Sequence, residues 1–244
     1  MPASPDQNAP TRVGLIGDVH AQDKHLATAL EHLVREGAEV LLCTGDLADG
    51  SGDIERCVAL LKDYEVLTVR GNHDRWLLED RVRHVPNAHT RETVSEAVLD
   101  YLGDLPSERR ITTTAGPLML CHGMGKHDLT KIWPGTKRMP AERSKHLDTL
   151  IAEGDVRWIV NGHVHYRTLI HFRTLTLINA GTLRGDHHPG FSLLDLAAAE
   201  VVGFELEPAV HEVRTHPLTP TPDTRVFEDT QHFDGDWDPV TLYA

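Results

Sequence analysis

"YEVLTVRGNHDRW" runs from Tyr64 to Trp76. Its first seven residues are rich in apolar and β-branched side chains, the composition of a buried strand. Gly71 ends that run, and an amide, an imidazole and a carboxylate follow at Asn72, His73 and Asp74. Two readings fit this junction. One is a loop carrying a helix N-cap, with Asp74 capping "RWLLED". The other is a functional site at the end of a strand.

The same transition occurs upstream. "RVGLIGD" (12–18) reads as a short buried strand ending in Gly-Asp, and "AEVLLCTGD" (38–46) repeats the pattern. Between them "KHLATALEHLVREG" (24–37) has helical apolar spacing closed by Gly37, and "GDIERCVALLKDY" (52–64) supplies a second helix. This β-α-β-α-β alternation predicts a parallel sheet with crossover helices. Downstream, "SEAVLDYLGDL" and "AERSKHLDTLIAEG" read as helices, "RRITTTAGPLMLCHG" as two strands about an Ala-Gly-Pro turn, and "RWIVNGHVH" as a strand with a polar end. "RTLIHFRTLTLINAG" and "GFSLLDLAAAEVVGFELEP" read as antiparallel strands. The expected organisation is a disordered leader over 1–11, one domain over 12–212, and an extension over 213–244 that packs on the domain or is partly disordered.

Composition narrows the function classes. At 40% hydrophobic and 25% charged, the 244-residue chain is ordinary for a globular protein. No run approaches the roughly 18 apolar residues of a spanning helix, so no membrane partner is expected. Cys43, Cys57 and Cys121 form no C-x-x-C pair, and a reducing cytoplasm is the simplest home for them. The formal charge of −13 disfavours binding to long nucleic acid. Carboxylates that neutralise bound cations would account for part of that charge, and 17 histidines raise the expectation of metal binding modestly.

Five strand ends deliver polar side chains: Asp18 and His20 in "GDVH", Asp46 and Asp49 in "GDLADG", Asn72, His73 and Asp74 in "GNHD", His122 in "CHG", and His163 and His165 in "GHVH". In an open α/β sheet, ligands bind outside the carboxyl ends of the strands. Mixed imidazole and carboxylate donors suit Mn, Fe, Zn, Ni or Co. In Asp18-Val19-His20 and His163-Val164-His165 the donors stand two apart, so an extended backbone would aim both the same way and turn the valine into the core. Gly17, Gly45, Gly71 and Gly162 precede the clusters, where unusual backbone geometry or close approach is expected. Each motif alone also reads as a turn, a cap or surface histidines. Their recurrence at one sheet edge favours a site.

The order Asp-x-His, Gly-Asp-x-x-Asp, Gly-Asn-His-Asp, His-Gly, Gly-His-x-His, followed by "INAGTLRG", resembles the signature of the calcineurin-like metallophosphoesterases, in particular the small prokaryotic phosphodiesterase-type members. The resemblance implies a four-layer α-β-β-α sandwich with mixed sheets and two divalent or trivalent metal ions at the carboxyl ends of the strands. Mn or Fe is expected first, with Zn, Ni or Co as alternatives. Carried over motif by motif, Asp18, His20 and His165 look like ligands of one ion and Asn72, His122 and His163 of the other, with Asp46 bridging. His73 resembles the general acid. Asp49 resembles the carboxylate that orients it in the protein-phosphatase branch, against the plainer reading of a loop cap.

The implied reaction is hydrolysis of a small phosphate ester, a hydroxide between the metals attacking phosphorus. Protein phosphatases of this superfamily carry Arg after the second Asp of the second motif, where this chain has Gly50. That departure and the full "GHVH" pair favour phosphodiesters or small nucleotides. A phosphomonoesterase of protein-phosphatase or dinucleotide-tetraphosphatase type is the alternative. A reading of another class is a metal-binding scaffold without catalysis, as in the retromer coat, whose members typically lack the histidine of "GNHD". Arg75 and Arg184 are open to substrate phosphate or to ordinary surface roles, and His127, His187 and His188 are weaker candidates for substrate contact.

Overall fold

The computed structural model describes residues 9–185 and 187–244. The leader expected over 1–11 therefore falls, for residues 1–8, outside the described residues. Pro10 and Thr11 already pair with the domain, through Thr114 N–H to the Pro10 carbonyl and Leu196 N–H to the Thr11 carbonyl.

The chain opens with β1 (Arg12–Ile16), α1 (Asp23–Arg35), β2 (Val40–Cys43), α2 (Ile54–Asp63) and β3 (Leu67–Thr68). These strands pair in parallel, with Ile16 beside Cys43 and Cys43 beside Thr68. Two helices follow, α3 (Asn72–Leu78) and α4 (Glu96–Asp104), and then β4 (Glu108–Thr113), β5 (Gly116–Cys121), α5 (Lys145–Glu153), β6 (Trp158–Asn161), β7 (Arg167–Phe172) and β8 (Thr176–Ala180). The chain ends with β9 (Gly190–Asp195), β10 (Glu200–Glu205), β11 (His211–Pro217), β12 (Val226–Phe227) and β13 (Val240–Thr241). Three helices, α2, α4 and α5, start where side-chain oxygens meet free amides: Asp53 accepts from Arg56, Ser95 from Val98 and Ser144 from Leu147.

Two mixed sheets result. One has the order β11-β10-β9-β1-β2-β3, and the other β12-β7-β8-β6-β5-β4 with β13 also on β7. The inner strands, such as β1, β2, β6 and β8, read as continuous apolar runs because they are buried on both faces. Alternation then divides each strand between two cores. Val13, Leu15, Leu118, Leu120, Trp158 and Val160 meet between the sheets. Ile16 faces α1, α2 and α4, while Met119, Cys121 and Ile159 face α5. The layers are thus helices, sheet, sheet and helix, the α/β four-layer arrangement. Residues after 213 fill both cores of the second sheet: Phe227, Phe233 and Trp237 pack on the α5 side, and Leu218 and Leu242 pack between the sheets.

The parallel strands β1, β2 and β3 in one sheet, and β5, β6 and β8 in the other, end at the same edge of the sandwich. The polar motifs leave from that edge. No helix among the described residues is long and apolar enough to cross a membrane.

Candidate metal centre

Nine of the ten residues singled out from the strand ends, all but Asp74, gather in one place. Asp18, His20, Asp46, Asp49, Asn72 and His122 are buried, while His73, His163 and His165 are half-buried and face the opening. Donor atoms fall into three overlapping groups, each within 4.8 Å: Asp18, His20 and His165; Asp46, His122 and His163; and His20, Asp46 and His73. Asn72 joins the second group, its Oδ1 lying 2.9 Å from His122 Nε2. Asp46 stands between groups, with Oδ2 3.3 Å from His122 Nε2 and 3.9 Å from His20 Nε2.

Backbone carbonyls fix how the deep imidazoles point. His20 Nδ1 donates to the carbonyls of Ala48 and Asp49 at 3.1 and 3.0 Å, and His122 Nδ1 donates to that of Thr44 at 2.9 Å. Both therefore present Nε2 to the centre, the arrangement by which an outer partner orients a metal-ligating histidine. Asp18 is set by Thr44 Oγ1 at 2.9 Å and the His163 backbone N–H at 2.8 Å, and Asp46 by the His73 backbone N–H at 2.8 Å.

The glycines before the motifs permit this closeness. A Cβ at Gly71 would overlap the Asp46 carboxylate, and one at Gly162 would overlap that of Asp18. The extended backbone expected for the two His-containing pairs is not what the chain adopts. His20, Asp46, Asp49, His163 and His165 all have left-handed φ, between 46° and 71°. His163 and His165 consequently join different groups, and Val164 is half-buried rather than turned into the core, although Val19 is fully buried. Strained backbone of this kind persists where the surrounding structure holds it, commonly at functional sites.

The donor set fits cations. Among the described residues, the ion-pair partners of the buried Asp18 and Asp46 are imidazoles, with no Lys or Arg beside them. Buried carboxylates require compensation. Burial alone would raise the Asp46 carboxyl; His122 overcomes it and holds the group well below the ordinary carboxylate range. Burial opposes charging of His122 too, yet Asp46 and Asp18 raise it to about 10, so the centre attracts positive charge. Burial lowers His20 and His163 to about 4, which leaves both neutral and ready to donate lone pairs.

His73, within reach of His20 and Asp46, is held by a second network. Its Nδ1 lies 2.7 Å from Asp49 Oδ2. Burial would lower His73, but the Asp49 hydrogen bond together with the charges of Asp46, Asp49 and Asp74 more than offsets this and places it above its ordinary value. Asp49 is in turn gripped by Arg83, Nη1 to Oδ1 at 2.8 Å and Nη2 to Oδ2 at 3.0 Å, and accepts the His89 backbone N–H at 3.0 Å. Burial alone would raise Asp49; the hydrogen bonds from His73 and Arg83 hold it below the usual range. Arg83 and His89 were invisible in the sequence, since they stand in the aperiodic stretch after α3 with no motif around them. Arg83→Met is expected to lower kcat about 10- to 100-fold with little change in KM, as for other residues that orient a functional group. Added guanidinium should restore part of the loss, and a variant that misfolds would show no such recovery.

Asp74 does not serve as the N-cap expected for it. Gly71 occupies that position, and Asp74 sits one turn later, its Oδ2 accepting from Gly71 N–H at 2.9 Å. Its Oδ1 accepts from Leu47 and Ala48 at 2.7 and 3.0 Å, so Asp74 bolts the "GDLADG" loop to α3. Arg75 is paired through two nitrogens with Asp128, at 2.6 and 3.1 Å. The His187 ring lies 5.2 Å from that of His165, His188 stacks on Tyr243 at 4.6 Å, and His127 turns to His146 at 6.2 Å.

Comparison with known proteins agrees with this architecture. A protein from Methanocaldococcus jannaschii, MJ0912, is 22% identical over 161 residues, a match covering 63% of this chain and 63% of that protein's length. A metallophosphoesterase from Sphaerobacter thermophilus superposes with a TM-score of 0.59 at 20% identity, over 84% of this chain and 89% of its own. The phosphoesterase Yfce from E. coli gives 0.53 at 17%, over 85% and 100%. Likeness at this level carries the fold. Residues 11–199 match the Calcineurin-like phosphoesterase superfamily domain, so the motifs, the sandwich and the site's place on it agree, and the chain belongs to that superfamily.

Proposed function

We propose that the protein is a binuclear metal-dependent hydrolase of phosphate esters, with phosphodiesters or small nucleotides as preferred substrates. One observation carries the reading: Asp46 groups with His122 and His163 on one side and reaches His20 on the other, His20 in turn grouping with Asp18 and His165, and a hydrogen-bonded His73–Asp49 pair stands beside them. Asp18, His20 and His165 would hold one ion, Asn72, His122 and His163 the other, and Asp46 both, with Mn or Fe favoured by the mixed donors. When bound, the ions supply Lewis acidity to the phosphoryl oxygens and an acidified water as nucleophile.

The chain's own residues do the rest. Asp49 takes the Nδ1–H of His73, fixing the ring so that Nε2 carries the mobile proton. His73 donates that proton to the departing ester oxygen, which would otherwise leave as a basic alkoxide. The Arg83 pair keeps Asp49 ionised and its Oδ2 in place.

The His73–Asp49 pair itself supports the phosphomonoesterase alternative, because it resembles the phosphatase branch. Gly50 weighs against it: a Cβ there would overlap the His20 carbonyl, so this turn has no room for the phosphatase arginine. The metal-binding scaffold without catalysis is disfavoured by a histidine held in place for proton transfer. The three thiols are all buried and unpaired, in keeping with a reducing, cytoplasmic setting.

The test is a panel of bis-p-nitrophenyl phosphate, p-nitrophenyl phosphate and 2′,3′-cyclic nucleotides on protein of measured metal content. Diester turnover above monoester turnover is the expected result. Two bound ions with no hydrolysis under Mn, Fe, Ni or Co would establish the scaffold instead. Metal at about 100 times its Kd should also stabilise the fold by about 2.7 kcal/mol for each ion bound. For a domain of this size that raises Tm by roughly 5–10 °C.

A further inference from the structure

The ligand candidates differ in what aims them. His20 and His122 are set by backbone carbonyls on Nδ1. His165 has no such partner. Among the described residues its polar contacts run through Nε2, 3.2 Å from His20 Nε2 and 3.3 Å from Asp18 Oδ2. Its backbone is left-handed, with φ of 63°, and the residue is half-buried. A side chain placed in this way depends on what packs around its turn.

That packing leads to the C-terminal extension, which lies beyond the residues 11–199 matched by the superfamily domain. Tyr166 follows His165, and its ring lies 5.9 Å from Trp133, 5.9 Å from His187 and 6.0 Å from Tyr243. His187 in turn meets the His165 ring at 5.2 Å. Trp133 is met edge-on by Trp237 at 5.0 Å, and both residues are buried. Backbone ties fix this contact. Gly235 and Trp237 donate N–H to the Pro134 and Gly135 carbonyls, each at 3.1 Å, and a Cβ on Gly135 would overlap Gly235. Beyond Tyr166, Arg167 Nε donates to the Leu242 carbonyl at 3.0 Å, and Leu242 N–H donates to the Arg167 carbonyl at 2.8 Å. The extension therefore grips the residues that follow His165 twice, through stacked rings and through the strand end at Leu242.

We propose that Trp237 positions His165, and through it the ion that Asp18, His20 and His165 would hold. The inference rests on the binuclear reading and deepens it, giving the C-terminal extension a part in the site. Removing the indole leaves a void beside Trp133, which the surrounding rings fill only in part. Trp133 and Tyr166 are the rings next to that void, and Tyr166 carries the turn of His165 with it. The second ion is expected to feel this less. His163 stands in the same turn, but its ring rests on that of His122 at 5.2 Å, and its backbone N–H donates to Asp18 at 2.8 Å. Trp237 is thus a positioning residue, acting on His165 through two intervening rings.

The test is a calorimetric Mn titration of the metal-free full chain and its variants. The unmodified protein should take up two ions. Trp237→Ala should weaken one of them about tenfold, as when the support of a metal ligand is removed, and leave the other unchanged. Trp237→Phe, which keeps a ring against Trp133, should restore most of the loss. Phe227→Ala is the control for damage to the extension. Phe227 is buried on the α5 side against Phe172 and Phe233, so its loss should lower Tm without weakening either ion. In His165→Ala protein the Trp237→Ala change should add nothing, because its route is already cut. Equal weakening of both ions, none at all, or the same loss in Phe227→Ala overturns the assignment. Fewer than two ions in the unmodified chain strikes instead at the binuclear reading. The imidazole proton signals of metal-free protein then decide the part played by Trp237: those of His165 should shift in Trp237→Ala while those of His122 stay, and unmoved His165 signals overturn the assignment.

Discussion

His73→Ala protein, fully loaded with metal, is expected to lose about 10²- to 10⁴-fold in kcat on an alkyl phosphodiester, the usual contribution of a placed general acid. The loss should shrink to about tenfold or less on bis-p-nitrophenyl phosphate, whose weakly basic leaving group departs without a proton. This dependence on the leaving group separates proton donation from metal ligation and from a purely structural role for His73. The measurement is turnover on both esters alongside metal content. His73 also falls within reach of His20 and Asp46, so a ligand role has to be faced. If His73 were a ligand, the variant would lose bound metal and both esters would suffer alike. Its Nδ1 engagement with Asp49, itself clamped by Arg83, argues for the acid. Unchanged alkyl-ester turnover in the loaded variant would remove His73 from the mechanism.

That His73 drew notice in the sequence follows from how buried parallel strands are written. β1, β2 and β6 have apolar side chains on both faces, so each run stops abruptly where a polar residue leaves the sandwich. Gly stands at each stop because a side chain there has no space: an earlier motif's carboxylate fills it at Gly71 (Asp46) and Gly162 (Asp18), and neighbouring backbone fills it at Gly17 and Gly45. The edge where the motifs meet was legible for the same reason. Periodicity fails once the backbone turns left-handed, and the two-residue spacing of His163 and His165 then no longer says which group each joins. Arg83 and His89 could not be read either. They lie 34 and 40 residues from Asp49 in a stretch without pattern, and only the packed structure brings them to it. Asp74 fell between these cases. Its place near a helix start was visible, but its bonds to Leu47 and Ala48 depend on a loop 27 and 26 residues away.

Asp46 is where the binuclear reading is most exposed. Asp46→Asn keeps the size of the side chain and an oxygen for the His73 N–H, while removing the charge that both donor groups share. The expected result is loss of both ions at concentrations that saturate the unmodified protein, and a fall in kcat on the order of 10³-fold or more, because the attacking water and the phosphoryl oxygens would lose the cations that activate them. The metal-dependent rise in Tm should vanish with them. His163→Ala makes the contrast, since His163 belongs to one group: it should lower metal content from two ions towards one and leave part of the thermal shift. Elemental analysis and thermal denaturation of the two variants, with and without metal, measure this directly. Equal loss of metal in both would mean that the sites fill together and that Asp46 has no special place between them. Retention of one ion in Asp46→Asn would show that the carboxylate serves a single site, and the shared-ligand arrangement would have to be given up.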